Sequence, residues 1–230
     1  MQIKQKDIQE LDSSCRIVMF DMDGTFISSK KFHASVFYRF FNKYVKPVEY
    51  KEVEKNMGNT VPAIFINFNV DEKRFPELFE KLDVFCKEQI DDLIGTIPVA
   101  PDIKETLEAI HEKDIKTAVV TNSMQCVVES ILHYFGLTDL FDYISGADID
   151  TCTKNRRCEN VRTAVGAEPE NVLYVGDAET DIILANELSY VSCFADTPFS
   201  WCKDRKYTYE MLRPDMSVKA LKEIPEKIKK

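Results

Sequence analysis

The spacing of apolar and polar residues along this 230-residue chain changes near residues 28 and 98. A short apolar run at 16–21 (RIVMFD) ends in an acidic residue, which is typical of a buried parallel strand that opens into a loop. From about 32 to 93 the apolar residues instead recur at helical spacing, and many are aromatic. Two such stripes are Phe37, Phe40, Phe41 and Tyr44, and Leu78, Leu82, Phe85 and Gln89. We therefore expect a first strand followed by helices with a small core of their own.

After Pro98 and Pro101 the chain alternates between short apolar runs and amphipathic stretches. This pattern predicts helices at 102–113, 124–135, 159–165 and 179–188, and strands at 116–121, 143–145, 172–176 and 190–195. Strands that alternate with helices in this way form right-handed βαβ units. The predicted fold class is α/β, a doubly wound Rossmann-like parallel sheet with an inserted α-helical domain. We expect a discontinuous core, 1–27 and 98–230, and a helical domain at 28–97.

Composition and charge restrict the class of partner. Hydrophobic residues make up 44% and charged residues 30%, with 7 Gly and 9 Pro, which is typical of a globular protein and excludes collagen-like or disordered chains. The 30 Lys and Arg against 39 Asp and Glu give a net charge of −9, which disfavours nucleic acid or an anionic membrane as the main partner. A small anionic substrate would need a local positive site, such as a metal. Whether the chain is a monomer or a homodimer stays open.

Targeting signals and cysteine spacing bear on the compartment. The first twenty residues lack the apolar region of a signal peptide, and no apolar run reaches the length of a membrane span, so we expect a cytoplasmic protein. Seven cysteines include no C-x-x-C pair, which favours reduced structural thiols. Cys152 and Cys158 have no second pair or nearby histidine with which to hold a metal.

Polar residues follow three of the predicted strands at their carboxyl ends, where ligands bind in open parallel sheets. They are Asp21, Asp23, Gly24 and Thr25 after the first strand, Thr121, Asn122 and Ser123 after the second, and Asp177 and Asp181 after the strand at 172–176. Lys154 is expected in the loop that follows the strand near Ser145. Carboxylates this close repel one another unless a cation neutralises them, and oxygen ligands without histidine suit Mg²⁺.

The order of these motifs resembles a known family. D-x-D-G-T at 21–25, T-N at 121–122, Lys154 and G-D-x-x-x-D at 176–181 are similar to the motifs of the haloacid dehalogenase-like hydrolase superfamily, in the branch of phosphoglycolate phosphatase and β-phosphoglucomutase. The helical stretch resembles the mobile cap of that superfamily, so the resemblance covers nearly the whole chain. It implies a Mg²⁺-dependent phosphatase that hydrolyses a small phosphorylated metabolite.

The resemblance also implies a role for each acidic residue. Asp21 is expected to attack phosphorus and become a transient aspartyl phosphate. Asp23 is expected to protonate the leaving alcohol and then to accept a proton from water. The metal site would comprise Asp21, the backbone carbonyl of Asp23, and Asp177, while Asp181 would hold a metal-bound water or orient Lys154. Gly24 would allow the sharp turn between them.

Further residues are expected to bind the phosphoryl group. The resemblance assigns this role to Gly24, Thr25, Thr121, Asn122 and Lys154, with Lys154 acting as a positive charge beside the nucleophile. The family's lysine is commonly followed by proline, whereas here the run is TKNRR at 153–157, so Arg156 or Arg157 is an alternative.

Other interpretations stay open. Asp177 can be read as a helix cap, and T-N-S as an ordinary helix entry. The three histidines have no pattern of catalytic partners, and only His33 lies near the site in sequence. The dinucleotide fingerprint and the P-loop are both absent from the sequence. A phosphomutase of the β-phosphoglucomutase type is the alternative enzyme, and a non-catalytic regulatory protein that binds a phosphorylated metabolite is the alternative of a different class.

Overall fold

Six parallel strands form one sheet in the part of the chain that the computed structural model describes, residues 14–148 and 153–229. The strands are β1 (Ile17–Phe20), β2 (Lys116–Met124), β3 (Tyr143–Ala147), β4 (Val172–Gly176), β5 (Val191–Ala195) and β6 (Met216–Val218). Their order across the sheet is β3-β2-β1-β4-β5-β6, and Ile17 of β1 lies opposite Lys116 on one side and Val172 on the other. The order therefore reverses at β1, which places a binding crevice at its carboxyl end. The predicted α/β class with a Rossmann-like parallel sheet is confirmed.

Helices connect the strands and cover both faces of the sheet. Their bounds are α1 (Lys30–Phe40), α2 (Tyr50–Lys55), α3 (Val61–Asn67), α4 (Phe75–Leu93), α5 (Ile103–His111), α6 (Gln125–Tyr134), α7 (Lys154–Val165), α8 (Glu179–Glu187), α9 (Arg205–Tyr207) and α10 (Glu223–Lys227). A π-helical turn, Phe41–Val45, follows α1 directly, and another, Thr208–Leu212, follows α9. No described helix is both long and apolar enough to cross a lipid bilayer.

The central strands are apolar throughout because both of their faces are buried. Val18 and Phe20 of β1 belong to the larger hydrophobic cluster, which continues into the helices at 28–97. Ile17 and Met19 point to the opposite face and belong to a second cluster, which includes Cys158 of α7 and residues of α8. Alternate residues of a strand face opposite sides, so a strand that is buried on both sides needs a continuous apolar run.

The helical segment, residues 28–97, lies in the chain between β1 and β2. Its predicted aromatic core is present: Phe40 stacks on Phe65 at 6.4 Å between ring centroids, and Phe41 lies 4.7 Å from Phe68. Gln89 is not part of that core, since its side chain accepts a hydrogen bond from Arg39 at 2.7 Å. Phe40, Phe41 and Phe65 are fully buried, so the helical periodicity identified the correct face.

The chain enters and leaves the helical segment at one place. The Ser28 backbone N–H donates to the Pro98 carbonyl at 2.8 Å, and that of Ala100 donates to the Phe26 carbonyl at 2.8 Å. The two crossings therefore lie side by side, close to the boundaries at 27 and 98. The division into a core and an inserted domain stays a prediction.

The structure differs from the sequence-based expectations in β6, α7 and β2, among other elements. The strand β6 was not predicted, because three residues are too few for a recognisable apolar run. The helix predicted at 159–165 begins at Lys154, so the expectation that Lys154 lies in a loop is wrong. The first turn of α7 is polar and its buried position 157 is an arginine, so the apolar residues do not show helical spacing there. Thr153 caps the helix, because its side chain accepts a hydrogen bond from the Arg156 backbone N–H. The strand β2, which was predicted to end at residue 121, continues to Met124.

The cysteines that the structure describes are all thiols. Five of the six are buried, and Cys126 is partly exposed. Cys152, considered above as a metal ligand, lies outside the described residues.

Candidate active site

The residue after β1 lies at the centre of the site. The Asp21 backbone N–H donates to the Val175 carbonyl at 2.8 Å, which continues the pairing of β1 with β4. Its side chain is buried, and Oδ1 accepts a 2.6 Å hydrogen bond from Lys154 Nζ. The same ammonium group donates to Asp181 Oδ1 at 2.8 Å. Because Lys154 is the first residue of α7, the helix fixes the position of its stem next to the sheet.

Three buried carboxylates lie together beside this lysine. One oxygen atom from each of Asp21, Asp177 and Asp181 can be chosen so that all three lie within 4.8 Å of one another. Asp177 accepts hydrogen bonds from Thr25 Oγ1 at 3.2 Å and from the Trp201 backbone N–H at 2.5 Å. We refer to Asp21, Asp177 and Asp181 as the acidic triad.

The acidic triad holds more negative charge than its surroundings neutralise. The pKa of Asp21 is raised from 3.8 to about 7, mainly by burial. The charge of Lys154 lowers this pKa, and the charges of Asp181 and Asp23 raise it further. The pKa of Asp177 lies well above its usual range, first because of burial and then because of the charges of Asp181 and Asp21. Three oxygen donors with unneutralised charge form a suitable site for Mg²⁺. These residues therefore fit the metal that the sequence predicts.

Two glycines allow the acidic side chains to come this close. Gly24 has a φ of +85°, and a Cβ atom there would lie 2.4 Å from Asp177 Oδ2. At Gly176, a Cβ atom would lie 2.3 Å from the Cβ of Asp181. Any other residue at either position would displace a triad carboxylate.

The side chain of Asp23 belongs to a different cluster. Oδ1 accepts a 2.5 Å hydrogen bond from Ser29 Oγ and lies 2.7 Å from His33 Nε2. Oδ2 accepts from Ser123 Oγ at 2.5 Å and from Thr121 Oγ1 at 3.1 Å. Ser29 and His33 belong to the helical segment, whereas Thr121 and Ser123 belong to β2, so one carboxylate joins the two parts of the chain.

These contacts stabilise the ionised form of Asp23. Burial by itself raises the pKa of this carboxyl, but the charge of His33 and the surrounding hydrogen bonds outweigh it and lower the pKa to about 2. Two neighbouring carboxyl groups, Asp21 and Asp23, thus have pKa values shifted in opposite directions, which is a pattern typical of acid–base sites.

The remaining predicted residues lie nearby, with specific partners. Lys154, and not an arginine, contacts Asp21. Arg157 is buried beneath the phosphate-binding candidates and donates to the Thr121 carbonyl at 2.7 Å and to Asn122 Oδ1 at 3.2 Å. Arg156 contributes its backbone N–H to the helix cap. The Thr25 side chain is bonded to Asp177, so any contact of Thr25 with a phosphoryl group stays a prediction.

The site opens into a cavity of about 100 Å³ between the sheet edge and the helical segment. Its polar floor comprises Asp21, Asp23, Thr121, Asn122, Ser123, Lys154, Asp177 and Asp181. Its roof comes largely from the helical segment: Phe32, His33, Val36, Phe37, Met57, Gly58, Asn59, Val61 and Ile64. The turn at 57–60 between α2 and α3 therefore borders the site.

Three contributors were missed from the sequence: Ser29, His33 and Trp201. His33 offered a partial signal, since it follows the first motif on the first turn of a predicted helix. Ser123 was selected with Thr121 by its position at a strand end, but its hydrogen bond to Asp23 was not expected. Trp201 follows β5 by six residues, and its ring lies 6.5 Å from that of His33 and in contact range of Gly58. No sequence pattern marks that contact.

Comparison with known proteins decides the family. The haloacid dehalogenase-like hydrolase model matches residues 18–194. The chain belongs to this family. The hydrolase is 32% identical to a phosphoglycolate phosphatase of Aquifex aeolicus over 170 aligned residues. The alignment covers 73% of the chain and 78% of that relative. It is 26% identical over 216 residues to the pyrophosphatase PpaX of Oceanobacillus iheyensis, and this alignment covers 92% of the chain and 95% of that relative. The family predicted from the motifs is confirmed.

Solved structures show the same fold. A predicted phosphatase from Clostridium acetobutylicum superposes on the hydrolase with a TM-score of 0.76 at 19% identity, over 93% of this chain and 97% of the other. CbbY from Rhodobacter sphaeroides, in complex with phosphate, superposes with a TM-score of 0.72 at 16% identity, over 91% and 96%.

Proposed function

We propose that this hydrolase is a Mg²⁺-dependent phosphatase that cleaves a small phosphate monoester through an aspartyl phosphate on Asp21. The observation that carries the proposal is the contact of a buried Asp21 with Lys154, next to two further buried carboxylates. The names of the relatives, a phosphoglycolate phosphatase and a pyrophosphatase, support phosphoryl chemistry at this site.

In the first step, a carboxylate oxygen of Asp21 forms a bond to phosphorus while the bond from phosphorus to the ester oxygen breaks. The Asp23 carboxyl, which takes up a proton from solvent as the substrate binds, transfers that proton to the departing oxygen. In the second step, the Asp23 carboxylate left by that transfer accepts a proton from the water that attacks phosphorus, and the bond from phosphorus to the Asp21 oxygen breaks. This step releases inorganic phosphate and regenerates Asp21.

Charge neutralisation is the task of the groups around Asp21. A bound Mg²⁺, held by the acidic triad and the Asp23 carbonyl, would neutralise the phosphoryl oxygens. Lys154 adds one fixed positive charge beside the nucleophile, and Asp181 orients it. The Thr121 hydroxyl and the Asn122 backbone N–H bind the phosphoryl oxygens in the proposed complex. Positioning and charge supply most of the acceleration of phosphoryl transfer.

The helical segment acts in this proposal as a cap domain over the core. Its roof residues close the cavity above the phosphoryl group, which excludes bulk water and limits the size of the alcohol. The substrate is accordingly a small phosphorylated metabolite in the cytoplasm rather than a nucleic acid or a membrane lipid.

Phosphate release from p-nitrophenyl phosphate and phosphorylated metabolites, in Mg²⁺ and in EDTA, tests the proposal. We expect Mg²⁺-dependent release that Asp21→Asn abolishes while the circular dichroism spectrum is unchanged. The matched control is Asp139→Asn, an exposed aspartate outside the site, which is expected to retain the activity. Equal activity of Asp21→Asn and wild type would contradict the assignment of Asp21. A phosphomutase would isomerise a sugar phosphate without release of phosphate.

A further inference from the structure

The roof of the cavity differs in chemistry from its floor. Five roof side chains are apolar and nearly inaccessible to solvent: Phe32, Val36, Phe37, Val61 and Ile64, with exposed fractions of 2–7%. A phosphate ester bound with phosphorus at Asp21 places its alcohol part toward this roof.

We propose that the alcohol part of the natural substrate is uncharged and carbon-rich, so that the hydrolase prefers such esters to phosphoglycolate and pyrophosphate. The proposal rests on the phosphatase function proposed above and specifies its substrate class.

The basic side chains of the cavity already have partners. Among the described residues that line it, the basic side chains are Lys154 and His33. Lys154 bonds to Asp21 and Asp181, and His33 lies 2.7 Å from the Asp23 carboxylate. A second anionic group on the substrate therefore finds no cation of its own among the described lining residues.

Burial of such an anion would be unfavourable. In phosphoglycolate a single methylene group separates the carboxylate from the ester oxygen, so the charge would meet the apolar roof or the carboxylates of the floor. In pyrophosphate the leaving group is itself a phosphate, so it would bring negative charge to the same apolar roof. An ionised group that leaves water without a partner loses its hydration and gains nothing in return. An uncharged alkyl or aryl group instead gains from contact with Phe37 and Ile64, and Asn59 offers an amide for a hydroxyl group.

The test compares esters of matched shape on the wild-type protein with Mg²⁺. The pair is 2-phosphoglycolate and its amide, 2-phosphoglycolamide, which differ in charge but hardly in size. Propyl phosphate and pyrophosphate extend the comparison. We expect kcat/KM for the amide and for propyl phosphate to exceed those for phosphoglycolate and pyrophosphate by about tenfold or more. A preference for either anionic substrate would overturn the inference while Mg²⁺-dependent turnover still supported the phosphatase.

A variant provides an independent arm. Val61→Lys adds one cation at the roof, and Val61→Met adds similar length without charge. We expect Val61→Lys to raise the ratio of phosphoglycolate to amide turnover by about tenfold relative to Val61→Met. No change in this ratio, with both variants folded by circular dichroism, would count against the proposed position of the alcohol. Absence of phosphate release from every ester would overturn the phosphatase proposal and this inference with it.

Discussion

The backbone N–H of Trp201 donates a 2.5 Å hydrogen bond to Asp177 Oδ2. The loop after β5 thereby supports one carboxylate of the acidic triad, and Ser200 supports the same residue by donating to its carbonyl at 2.9 Å. The Trp201 ring meanwhile borders the cavity next to His33 and Gly58 of the helical segment. One residue thus connects the proposed metal site with the proposed cap.

Removal of the Trp201 ring is expected to impair substrate turnover without loss of the metal site. We expect Trp201→Ala to lower kcat/KM for a small ester by about tenfold or more, because the cavity loses a wall against the 57–60 turn. Trp201→Phe should lie between wild type and Trp201→Ala. The backbone hydrogen bond to Asp177 persists in both variants, so Mg²⁺ affinity, measured by calorimetry, should change little. A large loss of Mg²⁺ affinity in Trp201→Ala would show that the ring itself supports Asp177.

Replacement of Lys154 tests charge against geometry. Lys154→Met should reduce kcat by about 10²–10³-fold, because a fixed charge beside the transferred phosphoryl group is lost. Lys154→Arg keeps the charge, but the planar guanidinium cannot reproduce both short contacts to Asp21 and Asp181, so we expect only partial activity. Steady-state kinetics of the two variants separate these effects. Full activity of Lys154→Met would exclude the role assigned to the ammonium group.

Two glycines with positive φ form a matched pair for a stability measurement. A Cβ atom added at Gly136, where φ is +64°, would meet no atom of the described residues within 4 Å beyond its chain neighbours, whereas one at Gly24 would lie 2.4 Å from Asp177. Gly136→Ala should therefore lower the free energy of unfolding by about 1–2 kcal/mol, because alanine is strained in the left-handed backbone conformation. Gly24→Ala should cost about 1–3 kcal/mol more and weaken Mg²⁺ binding, because the triad must shift. Urea denaturation and metal titration measure the two effects, and equal stability of the variants would refute the close approach at Gly24.

The stability of the metal-free protein should fall as pH rises from about 4 to 7. Asp21 has a pKa of about 7 in the folded protein against 3.8 ordinarily, so the unfolded chain loses its proton first and ionisation then favours unfolding. The raised pKa of Asp177 acts in the same direction. The lowered pKa of Asp23 has the opposite effect, but only below about pH 4.

The measurement is the melting temperature in EDTA and in Mg²⁺ between pH 5 and 8. We expect Mg²⁺ to stabilise the protein more at pH 8 than at pH 5, because it binds the ionised carboxylates. In EDTA at pH 8, Asp21→Asn should melt above wild type, since it removes one buried charge. A lower melting temperature for Asp21→Asn would mean that the ionised Asp21 side chain does not destabilise the metal-free protein.

Much of the fold follows from local pattern. The strands β1 and β4 were recognisable because burial on both faces requires continuous apolar residues, and α1 and α4 because one buried face produces helical spacing. The start of α7 at Lys154 was not recognisable, since its first turn is polar and one buried position holds Arg157. The three residues of β6 owe their conformation to pairing with β5 rather than to any propensity of their own.

By itself, the sequence determined the fold class and the acidic residues at the ends of the strands. Parallel strands bring their carboxyl ends to one edge, so Asp21 and Asp177 must lie together once both strands are identified. Only the tertiary structure decided what surrounds them. Ser123 reaches Asp23 across 100 positions, Trp201 reaches Asp177 across 24, and the apolar roof depends on how the helical segment packs over the sheet. Contacts of this kind arise from the packing of distant segments, which no local spacing of residues encodes.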